Sequence, residues 1–147
     1  NRDTTSQNYA DDPDNATVRA SFTYQRGDII IFESFVPGGI ALSSTDTNNY
    51  VGLRTILRVS NGSTTADGAA TISWYRDDGR SIKETMQLMT SSYIISSSDT
   101  TFNSGDIVYA YIRYATSIGG PVGSASVGLC KWGGIRRVVG YQFRKVA

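Results

Sequence analysis

The sequence predicts an all-β fold, an antiparallel β-sandwich of about eight strands with one short helix. Apolar and polar residues alternate with a period of two in several segments, which is the pattern of strands that bury one face. Clusters of Gly, Ser, Asn and Asp separate these segments, and only 3 of the 147 residues are proline. A hydrophobic content of 39% and this length suit one domain, residues 1–147, with one core.

The first two predicted strands differ in how many of their faces they bury. Residues 17–25 alternate strictly, and the face predicted to be buried carries Val18, Ala20, Phe22 and Tyr24. Residues 29–36 are apolar at nearly every position, so this strand is expected to be covered on both faces and to end at Pro37.

The next two strands form a predicted hairpin. Residues 51–59 alternate again, with Arg54 and Arg58 on the polar face. The dipeptide Asn61-Gly62 is a favoured hairpin turn, and the returning strand is predicted at residues 70–74.

One segment, Ser81 to Thr90, predicts a short helix. Its apolar residues Ile82, Met86 and Met89 recur at intervals of four and three, which places them on one helical face. The remaining strands are predicted at residues 93–95, 107–114, 122–129 and 135–146. Short strands joined by Gly- and Ser-bearing connections indicate a jelly roll, with a β-barrel as the alternative.

Alternation also predicts which side chains of the last strands are buried. In residues 107–114 the core face carries Val108, Ala110 and Ile112, and the opposite face carries Ile107, Tyr109, Tyr111 and Arg113. In residues 135–146 the inward side chains are predicted to be Val139, Tyr141 and Phe143, and the outward ones Val138, Gly140, Gln142 and Arg144.

Charge is distributed unevenly along the chain. All 13 carboxylates lie at or before Asp106 and six of the 14 cations follow it, so residues 1–106 carry −5 and residues 107–147 carry +6. Segregation of this kind attracts an anionic partner or a second copy of the protein. Nucleic acid and other copies are therefore the expected partners. Their predicted contact residues are Lys131, Arg136, Arg137, Arg144 and Lys145, of which Arg136 and Arg137 are predicted to be accessible.

The residue types argue against an enzyme. The chain has no histidine and one cysteine, Cys130, which excludes the Ser-His-Asp and Cys-His arrangements. A pair of carboxylates can serve glycoside hydrolysis, which keeps a small hydrolase as a third alternative, but the adjacent Asp77 and Asp78 are predicted to lie in a turn instead. No catalytic residue and no cofactor is predicted. The longest apolar run, 29–32, is too short to cross a membrane.

The sequence also contains candidates for a metal site and for a sugar-binding site. Asp11, Asp12 and Asp14 lack the spacing and the glycine of a calcium loop, so no metal is expected unless another copy supplies further oxygens. Tyr109, Tyr111 and Trp132 could stack on sugar rings, which makes a secreted lectin or a receptor-binding domain the alternative function. In the simpler interpretation the tyrosines form a ladder that stabilises a sheet.

The stretch Ser73-Trp74-Tyr75-Arg76-Asp77-Asp78, followed by a turn and the segment 81–89, resembles the single-jelly-roll coat proteins of very small, satellite-type icosahedral viruses. The resemblance implies a virion structural subunit that closes with many copies into an icosahedral shell. In such shells a basic N-terminal arm commonly faces the genome. Residues 1–16 depart from this pattern because they are polar and acidic, so the basic C-terminal third is expected to contact the genome instead.

Overall fold

A computed structural model describes residues 2–4, 8–42, 50–76, 83–119, 128–132 and 135–146, with side chains described within 8–38, 52–72, 87–116 and 135–146. The described residues form eleven strands and no helix. The strands are β1 (Arg2–Thr4), β2 (Ala10–Asp11), β3 (Ala20–Thr23), β4 (Ile29–Leu42), β5 (Tyr50–Ser60), β6 (Thr65–Asp67), β7 (Thr71–Arg76), β8 (Lys83–Ile95), β9 (Ile107–Gly119), β10 (Gly128–Trp132) and β11 (Arg137–Phe143).

The first sheet contains β1, β4, β8, β10 and β11, and the long strand β4 is at its centre. Along one edge of β4, β8 runs antiparallel from Ile30 to Leu42. Along the other edge β11 pairs with Ile29–Phe35 and β10 with Gly38–Leu42. Strands β10 and β11 therefore share one position in the sheet, and β1 pairs with β10 outside them.

The second sheet contains β2, β3, β5, β6, β7 and β9, and all its strand pairs are antiparallel. Strand β9 pairs with β2 and β3 along one edge and with β5 along the other. The far edge of β5 carries β6 and β7. The hairpin predicted at Asn61-Gly62 joins β5 to β6, and Gly62 has φ +97°, which favours glycine.

The two sheets pack face to face, which confirms the predicted antiparallel β-sandwich. Inward side chains of both sheets meet in a hydrophobic cluster. The alternation predicted for residues 51–59 is confirmed within 53–59, and that predicted for 107–114 is confirmed within 107–112, because the apolar face of each strand is buried there. The core members of β4 and β8 are Ile30, Phe32, Val36, Met89 and Ile95, and those of β5 and β9 are Leu53, Leu57, Val59, Val108, Ala110, Ile112 and Tyr114.

The helix predicted at Ser81 to Thr90 is wrong, since the chain from Lys83 onward belongs to β8. Residues 81–82 lie outside the described residues. Met89 is buried whereas Leu88 and Thr90 are exposed, which is the alternation of a strand. Pairing with β4 along the whole of β8 overrides the helical spacing of the apolar residues.

The predicted end of β4 at Pro37 is also wrong, because the strand continues to Leu42. Phe35 is the last residue that pairs with β11, and Gly38 is the first that pairs with β10. Pro37 pairs with Leu88 of β8 but lies at the gap between β11 and β10 on the other edge of β4, where a residue without an N–H is tolerated. Most of the strand predicted at 122–129 falls outside the described residues, and β10 begins at Gly128.

The predicted orientation of β11 is inverted in the structure. Tyr141 and Phe143 are exposed on the outer face, and Val138 packs against the core instead. Gly140 explains the inversion: a Cβ placed there would lie 2.6 Å from the Phe22 ring and 3.1 Å from Phe32. Only a residue without a side chain leaves room for these two rings, so Gly140 faces inward and its neighbours along the strand face outward.

Candidate functional site

Folding brings cations of the C-terminal third onto carboxylates of the N-terminal half. Arg136 binds Asp12 and Asp14, and Arg144 binds Asp28. At these residues, charges of opposite sign that are far apart in the sequence therefore bind each other within one molecule. The sequence had predicted that such charges would attract a separate molecule.

Arg136 lies in a buried cluster and is only 5% exposed, so the prediction that it is accessible is wrong. Its guanidinium donates to both carboxylate oxygens of Asp12 and, at 2.6 Å, to Oδ2 of Asp14. Asp12 also accepts from the Tyr114 hydroxyl at 2.7 Å and from the Asp14 amide at 2.8 Å. The cluster joins the loop after β2, the start of β11 and the central strand β9.

The electrostatics of this cluster favour the ionised form of Asp12. Burial opposes its ionisation, but hydrogen bonds from Arg136, the Asp14 amide and Tyr114 outweigh burial and hold the pKa of Asp12 below its usual value. The hydrogen bond to Asp12 raises the pKa of Arg136, and burial followed by the same carboxylate raises the pKa of Tyr114. The cluster is a buried network of ion pairs and hydrogen bonds that links the two sheets.

The other cations of the predicted contact site are dispersed. Arg144 donates to Asp28, which is buried, and this hydrogen bond holds the pKa of Asp28 below its usual value. Arg137 and Lys145 are exposed, whereas the side chain of Lys131 lies outside the described residues. The five predicted residues are therefore not brought together as one basic surface within the part of the chain described.

The three residues of the predicted sugar site lie in different sheets. Tyr109 and Tyr111 occupy the outer face of the second sheet with ring centroids 5.9 Å apart, whereas Trp132 belongs to β10 in the first sheet. The Arg19 guanidinium lies 4.2 Å from the Tyr109 ring centroid and covers that ring. Tyr111 is 9% exposed. This arrangement matches the sheet-stabilising ladder rather than an open stacking platform.

The three N-terminal carboxylates bind guanidinium groups. Arg113 donates to Asp11 at 2.7 Å, and Arg136 forms ion pairs with Asp12 and Asp14. Across the described residues, no group of three or more His, Cys, Asp or Glu side chains could hold a metal ion. No helix long and apolar enough to cross a membrane occurs in that part of the chain either.

The outer face of the first sheet carries an uncovered group of apolar side chains, here called the apolar face. Its members belong to β4, β8 and β11, and cross-strand pairing aligns them: Ile31 lies between Tyr141 and Ile94, and Ile29 lies opposite Phe143. Four of the five are between 39% and 58% exposed. A group of large apolar side chains in water is typical of an interaction surface.

Charged and polar side chains continue this outer face beyond the apolar group. Glu33 pairs in register with Val139 and Ser92, and Arg137 pairs with Phe35. A shallow depression of about 300 Å³ lies beside Glu33 and Phe35, bounded by Thr90, Ser91 and Ser92 of β8. No ion pair joins Glu33 or Arg137 to any side chain that the structure describes.

On the outer face of the second sheet, unlike the part of the first that the structure describes, charged side chains of opposite sign bind one another. Arg58 binds both carboxylate oxygens of Asp67 at 2.6 and 2.7 Å, and Arg113 binds Asp11. The hydrogen bond to Asp67 raises the pKa of Arg58 and lowers that of Asp67. These charged side chains therefore have their partners within the molecule, whereas the apolar face of the first sheet is open to solvent.

Part of the outer edge of β8 is covered by the other sheet. The Thr71 hydroxyl donates to the Thr90 carbonyl at 2.7 Å. Gly68 approaches so closely that a Cβ there would lie 2.8 Å from the Ser92 carbonyl oxygen. Covering an edge strand in this way disfavours pairing with another chain, so the face is the more accessible surface here.

Sequence reasoning missed the apolar face because it assigned Tyr141 and Phe143 to the core. One signal pointed to it: residues 29–36 are apolar on both sides of the strand, which implied a cover for the outer side as well. The sequence matches no protein-family model and no curated protein.

Proposed function

We propose that this protein is a structural subunit that assembles with copies of itself through the apolar face, as a coat protein of the single-jelly-roll type. The observation that carries the proposal is the apolar face itself. Ile94, Tyr141 and Phe143 are large apolar side chains that lie in water on the outside of a sheet, and a subunit would cover them on assembly.

The strand pairing supports the jelly roll. The chain pairs as nested hairpins: β1 with β10, β2 and β3 with β9, β4 with β8, and β5 with β6 and β7. If β2 with β3, β6 with β7 and β10 with β11 each count as one strand, the chain has eight strand positions, numbered 1 to 8 in chain order. In these numbers the strand order is 1-8-3-6 in the first sheet and 2-7-4-5 in the second. Two interleaved Greek keys of this kind occur in viral capsid and lectin domains alike, so the strand order supports the fold and the surface must support the function.

The size of the apolar face supports a contact between proteins. Taking ~200 Å² as the full surface of a large apolar side chain, the exposed parts of Ile29, Ile94, Tyr141 and Phe143 amount to on the order of 400 Å². This is about half of the ~800 Å² that each partner contributes to an interface of standard size. The neighbouring residues of the same face supply the polar rim.

Two matched isoleucines allow a sharp test. Ile94 is 58% exposed on the apolar face, and Ile107 is 62% exposed at the start of β9 in the second sheet. We expect the wild type to form a dimer or a larger assembly by size-exclusion chromatography with light scattering, Ile94→Asp to dissociate it, and Ile107→Asp to leave it intact. Circular dichroism of both variants checks that the sandwich is retained.

A wild-type monomer over a wide range of concentration and salt would overturn the proposal. In that case a glycan array becomes the next experiment, because the lectin alternative needs no assembly. Absorbance at 260 and 280 nm, recorded on the same column, tests whether the particles carry nucleic acid.

A further inference from the structure

We propose that a second copy docks on the first sheet face to face, about a two-fold axis that runs along the strands between β4 and β11. Arg137 of each copy then enters the depression beside Glu33 of the other. The inference rests on the proposed function and adds the orientation of the contact and the residues that set it.

The apolar face has the arrangement that this axis requires. A two-fold axis between two paired strands places each residue of β11 opposite the β4 residue with which it is paired, now in the other copy. Tyr141 therefore stacks on Ile31 and Phe143 on Ile29, which covers apolar groups with apolar groups. In an isologous contact of this kind each such pair forms twice, once with the β11 residue from either copy.

The same axis makes the charges complementary. Arg137 pairs with Phe35 in register, so it meets Phe35 of the other copy, two residues along β4 from Glu33. The depression of about 300 Å³ beside Glu33 and Phe35 is open at this point and has room for a guanidinium. Packed sheets lie ~10 Å apart, a gap that an extended arginine and a glutamate bridge together.

Intramolecular geometry agrees with this assignment. Glu33 and Arg137 are diagonal neighbours on one face, yet no ion pair between them occurs among the described residues. Each remains available to a side chain that approaches from outside. A contact with opposite charges at two-fold related positions forms two ion pairs at once, which favours a second copy over a partner of uniform charge.

Charge reversal tests the orientation. Glu33→Arg and Arg137→Glu should each place like charges together and raise the dissociation constant of the dimer ~10-fold or more, whereas the double variant should return to within ~3-fold of wild type. Lys145→Glu is the matched control: it alters net charge as Arg137→Glu does, on an exposed residue beyond β11 with no partner in the contact. Sedimentation equilibrium gives the constants.

The outcomes separate this inference from the proposed function. Rescue in the double variant supports the orientation. If Ile94→Asp dissociates the assembly but neither charge reversal weakens it, or the two reversals weaken it additively, the orientation is overturned and assembly through the apolar face survives. A monomeric wild type overturns both.

Discussion

Replacing Arg136 with methionine removes the guanidinium that binds Asp12 but keeps a long, unbranched side chain in its place. Asp12 is 1% exposed and would keep the Tyr114 hydroxyl and the Asp14 amide as donors, without a counterion. Breaking a buried ion pair by removing one partner typically costs ~3–5 kcal/mol. We therefore expect the free energy of unfolding at pH 7 to fall by about 4 kcal/mol.

The exposed pair formed by Arg113 and Asp11 is the matched control. Asp11 has 45% of its side chain exposed, so solvent screens this pair and hydrates the carboxylate when the arginine is lost. Arg113→Met should lower the free energy of unfolding by less than ~1 kcal/mol. The double variant Asp12→Leu with Arg136→Met removes both buried charges and should recover most of the lost stability, which keeps the reasoning testable if the single variant is poorly folded.

The loss in Arg136→Met should depend on pH in a specific direction. In the wild type the pKa of Asp12 is lowered, so its ionisation stabilises the fold above its unfolded pKa of ~3.9, and this contribution is lost as the pH falls towards the folded pKa. Without Arg136, burial remains as the main influence and raises the pKa of Asp12. Protonation of Asp12 then removes the unpaired buried charge from the variant. The loss of unfolding free energy relative to wild type should therefore shrink between pH 7 and pH ~4.

Urea unfolding followed by intrinsic fluorescence at pH 7 and at pH 4.5 measures these differences. Both proteins should carry Ile94→Asp so that assembly does not contribute to the measured stability. A deficit below ~1 kcal/mol, or one equal to that of Arg113→Met, would refute the argument from the buried charge. A deficit that stays constant with pH would refute the assignment to Asp12.

Two further substitutions test the packing of the core. Thr55→Val should leave the free energy of unfolding unchanged or raise it by up to ~1 kcal/mol in the same urea assay, because the buried Thr55 hydroxyl has no hydrogen-bond partner among the described atoms; a clear destabilisation would reveal one. Gly140→Ala should lower it by ~1–3 kcal/mol, because the new methyl group meets the Phe22 ring; unchanged stability would show that the ring moves aside freely.

The inner faces of the strictly alternating strands could be predicted from the sequence alone. In β9, Val108, Ala110 and Ile112 are all apolar, whereas the opposite side carries Tyr109, Tyr111 and Arg113 after Ile107, so burying the uniformly apolar side leaves one orientation. The same reasoning places Leu53 and Leu57 of β5 inside. Alternation is a local property with a direct physical cause, the hydrophobic effect acting on a period of two.

Orientation could not be predicted from alternation where both sides of a strand are apolar. In β11, Val138 on one side and Tyr141 with Phe143 on the other are all suitable for a core, and a shift of one residue exchanges the two sides. The Phe22 and Phe32 rings decide between them, since they leave room only for Gly140. These rings belong to β3 and β4, more than one hundred residues earlier in the chain.

By itself, the sequence determined the fold class, the hairpin turn at Asn61-Gly62 and the inner faces of the strictly alternating strands, because those follow from turn chemistry and hydrophobic periodicity within short segments. Only the tertiary structure decided the strand at Lys83 to Thr90, the burial of Arg136 and the exposure of the apolar face. Each of these depends on which distant segments become neighbours: β4 beside β8, Asp12 beside Arg136, Phe22 above Gly140. Periodicity carries no information about such pairs, and the packed core selects them.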